Sequence, residues 1–442
     1  MEQYDLLVIG AGPAGCMAAG QAARRGLSVQ LVERNLRPAR KILVTGKGRC
    51  NVTNNCEPQD FIRQVKTNGR FLYSAIHRFS PQDAMAFFES LDIPLKTERG
   101  NRVFPVSDRA MDIADGLIHY IRHPNVHLTA GWRARELLVE EGRAAGLVCE
   151  GENGERRTFR AGAYLIATGG KSYPLTGSTG DGYLLARQAG HTIQPVRASL
   201  IPVELEDGFC SELMGLSLKN VLLTVWERPQ KDGFGEDGQK KERETQSGGK
   251  PSKGKGPVYS EQGEMLFTHF GVSGPLVLSA SSHMDQEVGR YRMEINLKPA
   301  LTPEQLDARL LRDFEKFSNR NFSNALQELL PRLMIPVAVR LSGIDGESKV
   351  NQITRTQRQH LAELLQHFPL HPRRFRPIEE AVITSGGVCV KEIDPKTMAS
   401  KRCPNLYFAG EVIDVDGYTG GYNLQIAYST GYLAGISVPK QM

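Results

Sequence analysis

Six residues near the start of the chain have the types and spacing to hold a phosphate: Gly10-Ala11-Gly12-Pro13-Ala14-Gly15, a GxGxxG run. It follows an apolar stretch, Tyr4 to Ile9, that reads as a strand, and it opens a small-residue stretch, Ala14 to Arg25, that reads as a helix. In that setting the first glycine permits a tight turn. The second lets backbone N–H groups approach a pyrophosphate, and the third lets helix pack on strand. The helix N-terminus then favours the anion. Glu33 ends the next apolar run, Ser28 to Val32, 18 residues after Gly15, where a carboxylate accepts hydrogen bonds from a ribose and repels a 2′-phosphate. The pocket is expected to take FAD or NAD, not NADP. Gly177-Ser-Thr-Gly180-Asp181-Gly182 has the wrong spacing and no strand before it, so no second domain of this kind is expected. A resident redox dinucleotide fits better than a visiting one.

A flavin dinucleotide needs separate contacts for adenosine, pyrophosphate and ring, and other glycine segments suit those tasks. Arg34 and Lys41 are further candidate cofactor contacts. The loop Gly46-Lys47-Gly48-Arg49-Cys50-Asn51 offers backbone donors, with Arg49 beside the pyrophosphate or the anionic reduced ring. Thr168-Gly169-Gly170 closes an apolar run, Ala161 to Ala167, and Asp181 follows in the next loop. Gly410-Glu411 offers a carboxylate for ribityl hydroxyls, with Asp414 as the competing acceptor. Gly420-Gly421-Tyr422-Asn423-Leu424-Gln425 precedes an expected helix, Ile426 to Leu433, whose N-terminus would face the N1–C2=O edge of the ring. Side chains that could donate a proton to a reaction at the bound cofactor are Cys50, His269 and Tyr418. No spaced set of His, Cys and carboxylates suggests a metal. Gly271-Val-Ser273-Gly274 lacks the spacing of a nucleophile elbow.

The elements that must position these groups are those of a globular chain of two or three domains at 442 residues. The stretch from Leu6 to Gly20 is broken by Gly10, Gly12, Pro13 and Gly15, so no membrane span is expected. Glu2 and Asp5 stand where a secretory signal would be basic, and seven scattered cysteines contain no CxxC pair, so a cytoplasmic protein without disulfides is expected. Ser80-Pro81 with Asp83 caps one helix, and Ser107 is expected to open another toward Tyr120. From about Pro195 the texture turns to short strand-like runs, including 200–204, 220–226 and 291–297. Residues 228–257 are poor in apolar side chains, with eight basic against five acidic, and are expected to form a mobile excursion. Thr302 with Gln305 and Thr354 with Gln357 cap two further helices. The expected organisation is a nucleotide-binding domain built from 1–194 and 377–442. Residues 195–376 form an insert that is β-rich over 195–300 and helical over 301–370.

The same segments carry a resemblance. Gly10 to Gly15, Gly46 to Asn54, Ala167 to Pro174 with Gly177 to Tyr183, Leu266 to Pro275, and Gly410 to Gln425 are similar, in collinear order from residue 5 to 436, to the BaiN/RdsA family of HI0933-like flavoproteins. That resemblance implies an α/β Rossmann-like fold of the two-dinucleotide-binding type with an inserted barrel-like and helical region. It also implies FAD as cofactor and NADH or NADPH as transient electron donor. Two chemistries are implied: reduction of a conjugated carbon–carbon double bond in oxo-bile-acid-like enones, and reduction of uridine to dihydrouridine in large-subunit ribosomal RNA. The small-molecule enone is the first reading. In the RNA reading, the segment 228–257 and Arg373-Arg374-Phe375-Arg376 would grip phosphates in a salt-dependent manner. A non-enzymatic flavin sensor or assembly protein is the third reading.

Overall fold

The structure, a computed structural model, describes residues 4–228 and 256–440, so most of the segment 228–257 lies outside the described residues. The chain divides into two compact units. One runs to Leu200 and resumes at Pro377, and the other is Ile201–Arg376.

The first unit is built on five parallel strands. Strand β1, Tyr4–Ile9, is followed by helix α1, Pro13–Arg24, and strand β2, Val29–Glu33. Strand β3 is Val126–Ala130, β4 is Ala161–Ile166, helix α2 is Asp181–Gln188, strand β5 is Leu406–Phe408 and helix α3 is Tyr422–Ser437. The sheet order is β5-β4-β1-β2-β3. Residues Leu6, Leu7, Val8, Leu165 and Phe408 are fully buried, as expected of parallel strands covered on both faces. The last strand comes from the far end of the sequence, with Tyr164 opposite Leu406. Both chain ends therefore complete one sheet.

Helix α3 is apolar and small-sided around nearly its whole circumference, with Gln425, Ile426, Ala427, Tyr428, Ser429, Thr430 and Gly431 buried, the pattern of a helix inside a core. It packs on α1 through glycine. A Cβ on Gly431 would lie 2.2 Å from the Ala14 carbonyl oxygen, and one on Gly435 would lie 2.6 Å from that of Ala18. The two registers advance together, so the helices run parallel. Tyr422 lies nine residues before Gly431, which places the start of α3 about 13 Å behind Ala14, in the first turn of α1, along their shared direction.

The division between units falls after Leu200, because the strand Ile193–Ser199 pairs with Ile383–Val388 inside the first unit. The second unit holds a seven-stranded antiparallel sheet whose two edges are Phe368–Leu370 and Pro372–Phe375. Only His371 separates those edge strands, a reach of a few ångströms. The sheet must curl until its edges meet, which gives it a barrel-like form. Helices Pro303–Lys316 and Arg355–Gln366 each begin with the capping box read from the sequence. They bury Leu306, Leu310, Leu361 and Leu365. Ser107 does not cap the helix expected there. That helix is Ala110–Tyr120 with Arg109 at its N-cap, and the Ser107 hydroxyl donates to Asp112 instead.

Candidate functional site

The fingerprint glycines divide their tasks by geometry. Gly10 has φ +99°, and a Cβ there would sit 2.7 Å from the Ala167 carbonyl oxygen. A Cβ on Gly15 would sit 1.9 Å from the Gly10 carbonyl oxygen, so close packing of helix on strand admits glycine alone. At Gly12 a Cβ would meet nothing within 4 Å. Gly12 thus faces open space at the N-terminus of α1, where no side chain caps the free N–H groups. An anion fits there.

Glu33 is 7 % exposed. Its Oε2 accepts from the Ala11 N–H at 2.7 Å, and its Oε1 accepts from the Asn35 N–H and side-chain amide, each at 2.8 Å. The carboxylate is therefore fixed by the turn it serves, with its remaining lone pairs available to ribose hydroxyls. Arg34 reaches toward α2, donating to Thr179 at 2.6 Å and lying 3.5 Å from Asp181.

Other expected contacts prove to be braces. Asp181 is held by Arg133 through two bonds of 2.8 and 2.6 Å. Burial would raise its pKa, but Arg133 and Arg34 outweigh burial and hold it below the usual carboxylate range. Glu411 accepts from Lys41 Nζ at 2.7 Å, Ser172 Oγ at 3.0 Å and the Thr384 N–H at 2.8 Å. Burial alone would raise Glu411 too, and Lys41 reverses the sign. Neither Glu411 nor Lys41 is thus free for several ribityl hydroxyls. Together they tie the 40–48 loop, the Gly170–Ser172 turn and residue 384 to the end of β5. Arg49 donates to Glu98 and Asp108 and lies over the Phe104 ring at 4.1 Å.

The start of α3 shows the same division. Gly420 and Gly421 have φ +119° and +97°, and a Cβ on Gly421 would lie 2.3 Å from Thr53 backbone atoms. The Asn51 amide donates to the Val103 and Thr53 carbonyls and accepts from the Gly421 N–H at 3.0 Å. Asn423 closes the turn by accepting from the Gly417 N–H at 2.9 Å and donating to the Gly417 carbonyl at 2.8 Å. Gln425 is fully buried, bonded to Thr53, the Phe79 carbonyl and Ser429. Asn51, Asn423 and Gln425 are thus consumed in shaping the turn, because each amide satisfies backbone or core partners. No side chain caps α3, and Leu424 lies partly exposed in its first turn.

At the end of β4, Gly169 has φ +73°, and a Cβ on Gly170 would meet Thr384 Oγ1 at 2.5 Å. Gly46 and Gly48 are exposed with φ +55° and +83°. The hydroxyl of Thr168 is buried without a hydrogen-bond partner among the described residues. An open Gly12, two uncapped helix N-termini about 13 Å apart along one direction, and an orphaned hydroxyl on the strand end fit an extended dinucleotide. One terminus would face its pyrophosphate and the other its ring.

The proton-donor candidates fare unequally. Cys50 is fully buried at φ +59°, and burial pushes its thiol up to about 12. It packs in the core, and a thiol so weakly acidic is poorly matched to proton delivery near neutral pH. His269 lies in the second unit, exposed in the turn between Tyr259–Thr268 and Gly271–Ser273, with its ring against Phe270. Tyr418 is half-buried in the turn before α3, its N–H donating to the Gln64 carbonyl at 3.2 Å. The basic run at 373–376 is partly neutralised. Strand pairing sets Glu204 opposite Arg374, and its carboxylate accepts from Arg374 at 2.6 Å and Arg376 at 2.7 Å. Arg373 is exposed. Among the described residues no group of His, Cys, Asp and Glu could hold a metal, and no helix is long and apolar enough to cross a membrane.

Comparison with known proteins agrees with the Rossmann-like fold. The family described as HI0933-like protein Rossmann domain matches residues 4–437. A ribosomal RNA dihydrouridine synthase of Escherichia coli is 31 % identical over 98 % of this chain and 97 % of its own length. A 3-dehydro-bile acid Δ4,6-reductase of Clostridium scindens is 28 % identical over 97 % of both. The structure of a 3-ketosteroid-Δ4-(5α)-dehydrogenase from Rhodococcus jostii superposes with a TM-score of 0.53 at 14 % identity, covering 99 % of this chain and 97 % of that one, a likeness of fold. The chain belongs to the HI0933-like, BaiN/RdsA-type family of FAD-dependent oxidoreductases.

Proposed function

We propose that this protein reduces a carbon–carbon double bond conjugated to a carbonyl, using FAD re-reduced by NADH or NADPH, and that its substrate is a uracil ring in ribosomal RNA. The observation that carries the reading is the match, over nearly the whole of both chains, to a relative named as a ribosomal RNA dihydrouridine synthase. The formal charge of +6 supports a polyanionic partner. Bound FAD supplies the hydride. The chain supplies the open Gly12 turn for pyrophosphate, Glu33 for ribose, and the glycine-braced start of α3 for the ring. Its partial positive charge would favour the reduced anionic form by about 0.3–2 kcal/mol.

The second reading, a small conjugated enone, is supported by the 28 % identical relative named as a bile acid reductase. Both substrates present the same reacting group, so one experiment separates them. Protein reduced under anaerobic conditions is mixed with unmodified ribosomal RNA fragments or with an unsaturated 3-oxo-steroid, and flavin reoxidation is followed. Rapid reoxidation by RNA, with dihydrouridine appearing, supports the first reading. Reoxidation by the enone alone supports the second, and reoxidation by neither contradicts both.

A further inference from the structure

Beside the dinucleotide residues, the first unit holds a set of charges that the foregoing site does not use. The strand Val65–Thr67 pairs with Asp416–Gly417, with Thr67 opposite Asp416, while Arg197 stands opposite Ser385 on the neighbouring pair of strands. Asp416 is 1 % exposed and accepts from Ser199 Oγ at 3.1 Å and Ser385 Oγ at 3.0 Å, forming a fixed anionic floor. Lys66, Arg197 and Asn68 are exposed to water around it. Burial nevertheless lowers the Lys66 pKa, with Asp416 opposing that shift and Arg197 adding to it. The two strand pairings thus gather Lys66, Asn68 and Arg197 around one buried carboxylate.

Asp414 stands in the same place, three residues after Glu411 and before the glycine turn of α3. Asn68 Nδ2 donates to its Oδ2 at 3.0 Å and to its carbonyl at 2.7 Å, and the Gly386 N–H bonds its carboxyl. Burial raises its pKa against the Asn68 bond, Asp416 raises it further, and Arg197 opposes. Tyr183 is 3 % exposed, and its hydroxyl has no hydrogen-bond partner among the described residues. Burial raises its pKa, and the negative charges of Glu411 and Asp414 add to that shift. Two cations, a carboxyl whose pKa burial raises and a buried hydroxyl, gathered beside the glycine turn of α3, have the chemistry of a substrate site.

Reduction of a carbonyl-conjugated double bond makes two demands beyond the hydride. Negative charge develops on the carbonyl oxygen, and the α carbon needs a proton. We propose that Lys66 and Arg197 face that oxygen and that Asp414, oriented by Asn68 and Gly386, protonates the α carbon. This assignment rests on the reductase reading above and names the group its substrate must present, a vinylogous carbonyl such as an enone or the C4=O, C5=C6 unit of uracil. In the balanced step the β carbon takes a hydride from reduced flavin and the π bond breaks. The electron pair passes through the enolate to the α carbon, which forms a bond to the Asp414 proton. The carboxylate is reprotonated from water, and a nicotinamide dinucleotide restores the two electrons.

The test uses the FAD-loaded protein and para-chlorophenol, whose phenolate copies the enolate oxygen and can be followed by charge-transfer absorption with oxidised flavin. Wild type is expected to bind the phenolate. Lys66→Met and Arg197→Met should each weaken that binding roughly tenfold or more, with FAD content and melting temperature retained. Lys66→Arg should recover most of the affinity. Asp414→Asn should leave phenolate affinity equal or better, yet slow reoxidation of the reduced protein by an enone roughly a hundredfold or more, with partial rescue by Asp414→Glu. Failure of wild type to bind the phenolate, unchanged affinity in both cation variants, or an Asp414→Asn protein that reoxidises at the wild-type rate would overturn the assignment. If phenolate binding depends on the cations but no conjugated carbonyl reoxidises the reduced protein, the anion contacts stand and the reductase reading falls.

Discussion

The starts of α1 and α3 present the same device, a helix N-terminus without a side-chain cap, and they are built in opposite ways. At α1 the turn is made by glycine and held by one local carboxylate, Glu33, through Ala11 and Asn35. At α3 two glycines of positive φ are held by amides from distant segments, Asn51 on Gly421 and Asn54 on the Gly420 carbonyl at 3.1 Å. A phosphate needs only bare backbone. A ring that changes charge on reduction also needs its dipole aimed, and aim comes from cross-braces.

The contrast can be broken most severely at α1. Gly15→Val would drive a branched side chain into the Gly10 carbonyl, 1.9 Å from the first added atom, and should destabilise the first unit by at least about 4 kcal/mol. Thermal unfolding and the FAD absorbance ratio should both collapse, and a stable yellow variant would refute the packing role. Next comes Lys41→Met, which leaves Glu411 without its cation. The two side chains are 20 % and 19 % exposed, so about 3 kcal/mol is expected, the low end for a broken buried pair. The folded pKa of Glu411 lies below its ordinary 4.5. The stabilisation is therefore complete above that value and fades as pH falls through the folded pKa. Chemical denaturation from pH 7 down to 3 should show the wild-type advantage over Lys41→Met shrinking on the acid side, and an advantage that grows there would contradict the sign.

Asn51→Ala should cost about 1–3 kcal/mol, since it removes the amide that bonds the carbonyls of buried Val103 and Thr53 and the Gly421 N–H. It sharpens the comparison, because an equivalent loss at Glu33→Gln should weaken FAD retention more than it perturbs the ring. The smallest effect is expected at Cys50. Cys50→Ala should lower stability by about 1 kcal/mol and leave the rate of double-bond reduction within a few-fold of wild type. A hundredfold loss of reduction with normal FAD content would restore the thiol as proton donor.

How far the site could be read in advance follows the same contrast. The hydrogen bonds that fix the α1 turn come from Glu33, within 25 residues, so GxGxxG and Glu33 were legible with their strand and helix. The position of Glu411 after a strand was legible, but its partners Lys41, 370 residues away, and Thr384, 27 residues away, were not, because nothing local marks either pair. Helix α3 begins at Tyr422, four residues before the expected Ile426, since its first turn is polar and lacks the apolar period that betrays a helix. Its amides looked like ligand contacts because side chains that brace a glycine turn are the same types that bind a ring. Lys66, Asn68, Arg197 and Asp416 went unnoticed. Each is an ordinary polar residue in its own segment, and it is the pairing of Thr67 with Asp416, far apart in the chain, that brings Lys66 and Asn68 beside Asp416. Charged residues within short strand-like runs were the one available signal.

The most direct measurement of the central claim, that the braced start of α3 faces the reducible ring, is the two-electron midpoint potential of bound FAD in wild type and Asn51→Ala. A helix terminus worth about 0.3–2 kcal/mol to the reduced anion corresponds to about 7–40 mV. The expected result is a more negative potential in the variant, by an amount in that range, with FAD still bound. An unchanged or more positive potential, in a variant that keeps its fold and its cofactor, would contradict it.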